Sequence, residues 1–457
     1  MDSARSFFAR RSGIVFFLAA AAILFAGFCW NAWRTVPPET FDEYQIAWES
    51  FIVGRIIKTA HDGIFSAGGL PGLIGPDAAP PDIENPNYRF QYEAYNNSLP
   101  YQSFAPYQSQ IGGQGMLFGV LNGLLPISHA DKLALFHGLT ALLSAVVLGL
   151  ILTGIFRECG LLPALIALIA TALSQWLTLF GKNLWWSLWA FYLPVVVVGW
   201  YLSRRDWKYG LRLRAFGLVV FAAVLAKCFF NGYEFITTTL IMMTVPFAYY
   251  SFREKNGWRP FVAGISTAAA ASILAILASM AALCVQIAAV QGSLAKGVEH
   301  IVLSLLRRSY ADPRIFPADY AASLTASPVD VVITYLKSIY LDLNNYIPAP
   351  NAWIANYVFQ IRYLHLILLF AAASGFLLLL MNSRHLAGIK QTGAAMIAAV
   401  WFSLLAPLSW LIIFKAHSYV HTFINNLVWQ MPFTLFGFAL CGLALAAAAR
   451  VLGNRQV

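Results

Sequence analysis

Charge is what this sequence most lacks. Only 11% of its 457 residues are Asp, Glu, Lys or Arg, while 59% are hydrophobic. An ordinary soluble domain carries about 25% charged residues. So few charges cannot clothe a water-facing surface, so most of the surface has to face lipid. Cysteine is also scarce. Cys29, Cys159, Cys228, Cys284 and Cys441 are scattered in or beside apolar runs, with no CxxC pair. That pattern excludes a disulfide framework and a zinc site and leaves small buried hydrophobes. There is no internal repeat, so paired transporter-like halves are not evident. The net charge is +10, yet the basic residues sit in short loops and form no exposed stripe, which argues against nucleic acid as a partner. No Ala-x-Ala-like cleavage site follows the apolar run Gly13–Trp33. With Arg5, Arg10 and Arg11 before it, that run reads as an uncleaved first span with a cytoplasmic N-terminus.

What is present is a series of apolar runs. A crossing helix needs about 20 apolar residues. Runs of suitable length lie at 13–33, 133–156, 160–180, 184–203, 215–231, 235–251, 261–290, 358–381, 393–414 and 427–449. The expected fold is therefore all-α, a single polytopic domain over 1–457. The short run Met116–Ile127 is the ambiguous one. If it crossed, Arg204, Arg205, Lys208, Arg214, Arg253, Lys255 and Arg259 would lie outside, against the positive-inside rule. If it stays outside as a re-entrant or surface helix, the inner segments hold 16 of the 30 basic residues and only 4 of the 20 acidic ones. We therefore expect about ten spans with both termini cytoplasmic. Two long outer loops follow, 34–132 and 291–357. Each has amphipathic stretches suited to the interface, among them Ile46–Ile57, Ser304–Tyr310 and Val329–Leu343. Fourteen Trp and 34 Phe fit aromatic belts at the membrane surface.

Polar residues then gather on the outer side. Asp42 and Glu43 follow span 1, where one carboxylate could act as a general base or simply suit a helix N-terminus. The segment Tyr107–Gly115 offers Tyr107, Gln110 and Gln114 as hydrogen-bonding groups for a hydroxyl-rich substrate. Its glycines permit close backbone approach, or only a turn. Lys182 could meet a phosphate, beside Trp185 and Trp186, which read most simply as interfacial anchors. Lys227, Asn231 and Glu234 fall at offsets of four and seven, on one face if the helix continues. Ionisable groups at membrane depth are costly, which makes them functional candidates, with a structural Lys–Glu pair as the plain alternative. Lys415 precedes His417, His421 and Asn425, which repeat every four residues. This is not HExxH, so hydrogen bonding to sugar or phosphate is favoured over a metal. Arg307 and Arg308 could grip a phosphate bidentately or contact lipid head groups.

With these residues in view, the chain resembles the GT-C superfamily of polyprenyl-phosphate-dependent membrane glycosyltransferases. The likeness covers the general layout of the whole chain but few residues by motif. Asp42-Glu43, followed by an aromatic, stands where that family carries its catalytic acid, in the first large outer loop. The chain departs in reading Tyr44-Gln45-Ile46, where bacterial members commonly have a small residue and then Tyr, and in having no large C-terminal soluble domain. The resemblance implies an inverting glycosyltransferase of a bacterial inner membrane, acting in cell-envelope polysaccharide synthesis. It would use a polyprenyl-phosphate sugar donor and a glycan or lipid-linked acceptor, with Asp42 or Glu43 as the base. Some members use a divalent metal and others do not, so the cofactor stays open. A lipid-linked oligosaccharide polymerase or ligase, and a polysaccharide or lipid transporter, are the alternatives.

Overall fold

The computed structural model describes residues 2–77, 87–204, 212–254, 258–382 and 386–453. Arg205, Lys208 and Lys255, used above to orient the chain, lie outside the described residues, as do the side chains of Arg5 and Arg10.

Helix α1 (Asp2–Trp30) is apolar from Gly13 onward and packs along α5 (His129–Cys159). Between them lies the first long loop. Its α2 (Pro38–Asp62) begins with Pro at the first helical position, where a missing N–H costs nothing. The loop continues through β1 (Gly72–Gly75), α3 (Tyr88–Asn97), β2 (Ser103–Pro106) and α4 (Gly113–Leu124). Strands β1 and β2 pair antiparallel, Gly72 opposite Pro106. Besides the helices expected here, the loop holds a hairpin, and together they form a small helix-and-hairpin layer. Helix α2 buries Phe51, Ile52, Val53 and Ile56 rather than presenting them to lipid. Within α2, Arg55 is fully buried and donates to the carbonyls of Ser66 at 2.6 Å and Gly63 at 3.0 Å, which ties down the chain leaving the helix.

The ambiguous run forms α4, only 12 residues long and packed on α2. At 1.5 Å per residue it spans about 18 Å, too short to cross a bilayer. The run 160–180 is not one straight span. It forms α6 (Leu161–Ala172) and α7 (Gln175–Gly181), bent by 68°. Ser174 caps α7 by accepting from the Leu177 N–H, satisfying a donor that the break would orphan.

Helices α8 (Leu188–Ser203), α9 (Leu213–Asn231), α10 (Ile236–Glu254) and α11 (Trp258–Gln291) follow, and α9 packs on both α8 and α11. The second long loop holds α12 (Leu294–Arg308), α13 (Ala321–Thr325), α14 (Pro328–Lys337), β3 (Ile339–Asp342) and β4 (Gln360–Arg362). Here again the amphipathic stretch Val329–Leu343 is only partly helical, because 339–342 pairs antiparallel with 360–362. The chain closes with α15 (Tyr363–Leu380), α16 (Ala387–Ser403), α17 (Leu405–Ile413), α18 (Lys415–Val420) and α19 (Phe433–Gly453).

Among the described residues, seven helical stretches are long and apolar enough to cross a membrane, or eight if the bent α6–α7 pair counts as one span. The protein is a multi-pass membrane protein with a helical body and, among the described residues, two small sheets. The stretch 184–203 falls short because α8 has only 16 residues. Its first four residues belong to a turn. In α10, three consecutive threonines and Pro246 dilute the hydropathy. The five thiols are unpaired.

The molecule has chemically distinct ends. Near one, His137 of α5 meets the first loop. Glu158, 21 residues further along the same helix, pairs with Arg253. Helical rise separates the two places by about 30 Å. Arg157, Arg204, Arg212, Arg214 and Arg259 belong to the helix ends and connections on the Glu158 side.

Candidate functional site

At the His137 end a cavity of about 130 Å³ is walled by Trp48, Trp185, Trp186, Tyr107, Glu234, Arg307, Arg308, Tyr320, Ser323, His417 and His421. Its residues come from α2, the hairpin-to-α4 connection, the α7–α8 turn, the α9–α10 turn, α12, the second loop and α18. Trp48 is the hub of the aromatic wall, its ring 6.1 Å from Trp185, 6.3 Å from Trp186 and 6.1 Å from His421. Three segments distant in sequence therefore meet around one space.

The polar floor centres on Glu234. One carboxylate oxygen lies 3.1 Å from the Arg308 guanidinium and the other 3.3 Å from His417 Nε2. Burial alone would raise this carboxyl, but Arg308 and then His417 outweigh it and hold it well below the usual carboxylate range. Arg308 also donates to the Tyr107 hydroxyl at 3.4 Å. Arg307 donates to the Tyr320 hydroxyl at 3.3 Å and lies over that ring. Among the described residues it forms no ion pair with a carboxylate. The His417 and His421 rings lie tilted at 50° to one another with centroids 4.6 Å apart. Burial, followed by the adjacent His417, pushes His421 down to about 4, so it is neutral at physiological pH. Among the described residues its Nδ1 and the Trp186 Nε1, both buried, have no hydrogen-bond partner, an orphaning that water or a ligand ordinarily relieves.

A second polar cluster stands behind the tryptophans. Glu49, fully buried, accepts from His137 Nε2 at 2.7 Å, from the Tyr92 hydroxyl at 2.9 Å and from the Leu184 N–H at 2.9 Å. Asn183 reinforces the same turn. Its amide donates to Gln45 at 3.0 Å and its oxygen accepts from the N–H groups of Trp185 and Trp186. The turn enters α8 through Ser187 at φ 41°. Outside glycine this conformation is costly, and it is held here by those bonds. The position of the tryptophan wall is thus set by Glu49 and Asn183.

Of the residues singled out from sequence, Tyr107, Glu234, Arg307, Arg308, His417 and His421 line the cavity. The others have different work. Asp42 and Glu43 lie on the exposed side of α2, with Glu43 3.7 Å from Arg89 at the surface. They do not line the cavity. Lys182 stands over the Phe41 ring at 4.2 Å, also outside the lining. Lys227, Asn231 and Glu234 do not share a helical face. Helix α9 ends at Asn231, and Gly232 at φ 58° turns the chain. A Cβ at Gly232 would press into Gln110. The partners of Lys227 are backbone: Nζ donates to the carbonyls of Gly232 at 2.8 Å and Glu234 at 2.6 Å, closing the helix end. Asn231 donates to the Trp186 carbonyl, and Gln114 to the Trp185 carbonyl at 3.1 Å. Lys415 donates to the carbonyls of Leu324 and Ala326, each at 2.7 Å. Helix α18 stops before His421, so the fourfold spacing does not carry through to Asn425. That side chain instead donates to the His421 carbonyl and accepts from Trp410.

Sequence reasoning missed Trp48, Glu49, Tyr92, His137, Tyr320 and Ser323. Glu49 and His137 had a readable signal: each is an ionisable residue set within or against an apolar run, the cost argument applied above only to Lys227 and Glu234. Among the described residues, no group of three His, Cys, Asp or Glu side chains is arranged to hold a metal ion. Compared with known proteins, the chain matches no family model, no curated protein and no solved structure.

Proposed function

We propose that this multi-pass membrane protein is a glycosyltransferase that takes a sugar from a polyprenyl-phosphate donor and gives it to a hydroxyl of a glycan or lipid-linked acceptor. One observation carries the reading: two arginines, two histidines and a carboxylate converge on a tryptophan-walled cavity at the end of the molecule opposite Glu158 and Arg253. An anionic leaving group needs cationic donors aimed at it, and Arg307 and Arg308 supply them. A hydroxyl nucleophile needs a proton acceptor within reach. His421, neutral and with a free ring nitrogen, fits that part better than Asp42 or Glu43, which stand outside the cavity. In the transfer, the acceptor oxygen bonds to the anomeric carbon and the carbon–phosphate oxygen bond breaks. The phosphate leaves with that electron pair, and the hydroxyl proton passes to the base. Trp48, Trp185 and Trp186 offer apolar faces to a sugar ring or a prenyl chain.

The same reading assigns ten crossings, formed by α1, α5, α6–α7, α8, α9, α10, α11, α15, α16–α17 and α19. It puts both termini in the cytoplasm of a bacterial cell and the cavity at the outer face of the inner membrane. The concentration of arginine on the Glu158 side supports it.

A second reading, a polymerase or ligase of lipid-linked oligosaccharides, draws support from one fact. Arginines and histidines line the cavity while Asp42 and Glu43 do not. Product size separates the two, since one sugar is added per turnover in the first and a whole block in the second.

The test is transfer by purified protein in detergent. Arg307→Gln and His421→Gln are expected to lower the rate by about 10²–10⁴, and Asp42→Asn and Glu43→Gln to leave it near wild type. Full activity in both cavity variants would remove the cavity from the mechanism. Loss of activity in Asp42→Asn alone would return the base to the first loop.

A further inference from the structure

The cavity's charges do not balance, and the imbalance has a size. The charged and titratable side chains facing it are Arg307 and Arg308 from α12, Glu234 from the α9–α10 turn, His417 and His421 from α18 and its end, and the phenols Tyr107 and Tyr320. Lys227 and Lys415 approach from outside but spend their ammonium groups on backbone carbonyls and are not part of the lining. Arg308 is neutralised by Glu234 at 3.1 Å. Among the described residues Arg307 has only a phenol oxygen at 3.3 Å and the face of the same ring. Between the two arginines and the one carboxylate, one positive charge is left uncompensated.

Resting on the proposed transferase reading, we infer that Glu234 is the residue that sets the donor's charge. By occupying Arg308 it leaves Arg307 as the one unneutralised cation lining the cavity among the described residues, so the site takes a phosphodiester monoanion and discriminates against a diphosphate. A sugar joined to a lipid through one phosphate carries a single charge. A sugar joined through two carries a second, which would stand against the Glu234 carboxylate. Like charges a few ångströms apart in a cavity of low polarity repel strongly enough to govern selectivity.

The experiment measures binding to the purified full chain in detergent at pH 8, above the ordinary imidazole pKa of about 6.5. The two probes are a short prenyl phosphate methyl diester, with one charge, and the corresponding prenyl diphosphate methyl ester, with two. Wild type is expected to favour the first by at least about tenfold. Glu234→Gln raises the cavity charge by one and should erase or invert that preference. The double variant Glu234→Gln/Arg308→Gln restores the wild-type charge and should restore the preference, which guards against an effect of misfolding in the single variant. Equal binding of both probes by wild type, or a double variant that behaves like Glu234→Gln, overturns the assignment of Glu234 and leaves the transferase reading standing. Failure of both probes to bind wild type overturns both.

Discussion

The buried carboxylate of Glu49 allows a sharp test of how the cavity wall is held. Glu49→Ala removes the acceptor of three donors. The Leu184 N–H is enclosed, the half-buried Tyr92 hydroxyl keeps the Gln45 carbonyl at 3.4 Å as a weaker acceptor, and His137 keeps some contact with solvent, its side chain 18% exposed. A buried donor left without a partner costs about 1–3 kcal/mol. One such donor plus partial penalties at Tyr92 and His137 give a loss of about 2–5 kcal/mol. Glu49→Gln keeps the volume and one acceptor oxygen but turns an NH₂ group toward the remaining donors, so about 1–3 kcal/mol is expected. Unfolding of the purified protein in mixed micelles of mild detergent and SDS, followed by tryptophan fluorescence, measures both. Trp185 and Trp186 sit directly on the turn that Glu49 holds. Glu43→Gln is the control, since its contact with Arg89 lies at the surface, where ion pairs contribute little. A Glu49→Ala protein as stable as wild type would refute the reasoning. It would mean that the turn's geometry does not depend on this carboxylate.

Other outcomes follow from the same geometry. His421 has a folded pKa of about 4 against roughly 6.5 unfolded, so the unfolded chain binds the extra proton first. Stability contributed by neutral His421 is complete above about pH 6.5 and is lost as pH falls toward 4, by up to about 3 kcal/mol. Unfolding midpoints measured across that window should flatten in His421→Gln. Glu234, held low, weakens the fold only in more acid solution. Gly54→Ala should destabilise by about 1–3 kcal/mol, because its Cβ would press into the Gly72 carbonyl of the adjacent strand; the same mixed-micelle unfolding reads it. Arg55→Met should free the Gly63–Leu70 segment, which loses its guanidinium donors, and faster proteolysis within that segment is the measurable sign.

The sequence by itself determined the class of molecule. Scarcity of charge and the length of apolar runs are bulk properties, read without knowing any contact, and they fixed a multi-pass membrane protein. It also brought six of the cavity's residues into view, because polar groups that interrupt apolar runs need a reason to be there. The tertiary structure alone decided what each does. Lys227 and Glu234 looked like one helical face, yet the helix ends between them and sends one to cap carbonyls and the other into the cavity. Lys415 and Asn425 looked like ligands for a substrate and instead satisfy backbone groups. Asp42 and Glu43 look outward while Glu49, two turns on, is enclosed. Periodicity along a chain reports neighbours on one element. A cavity assembled from seven separate segments depends on where helices break and on which backbone groups claim each side chain, and those choices are made only when the chain packs against itself.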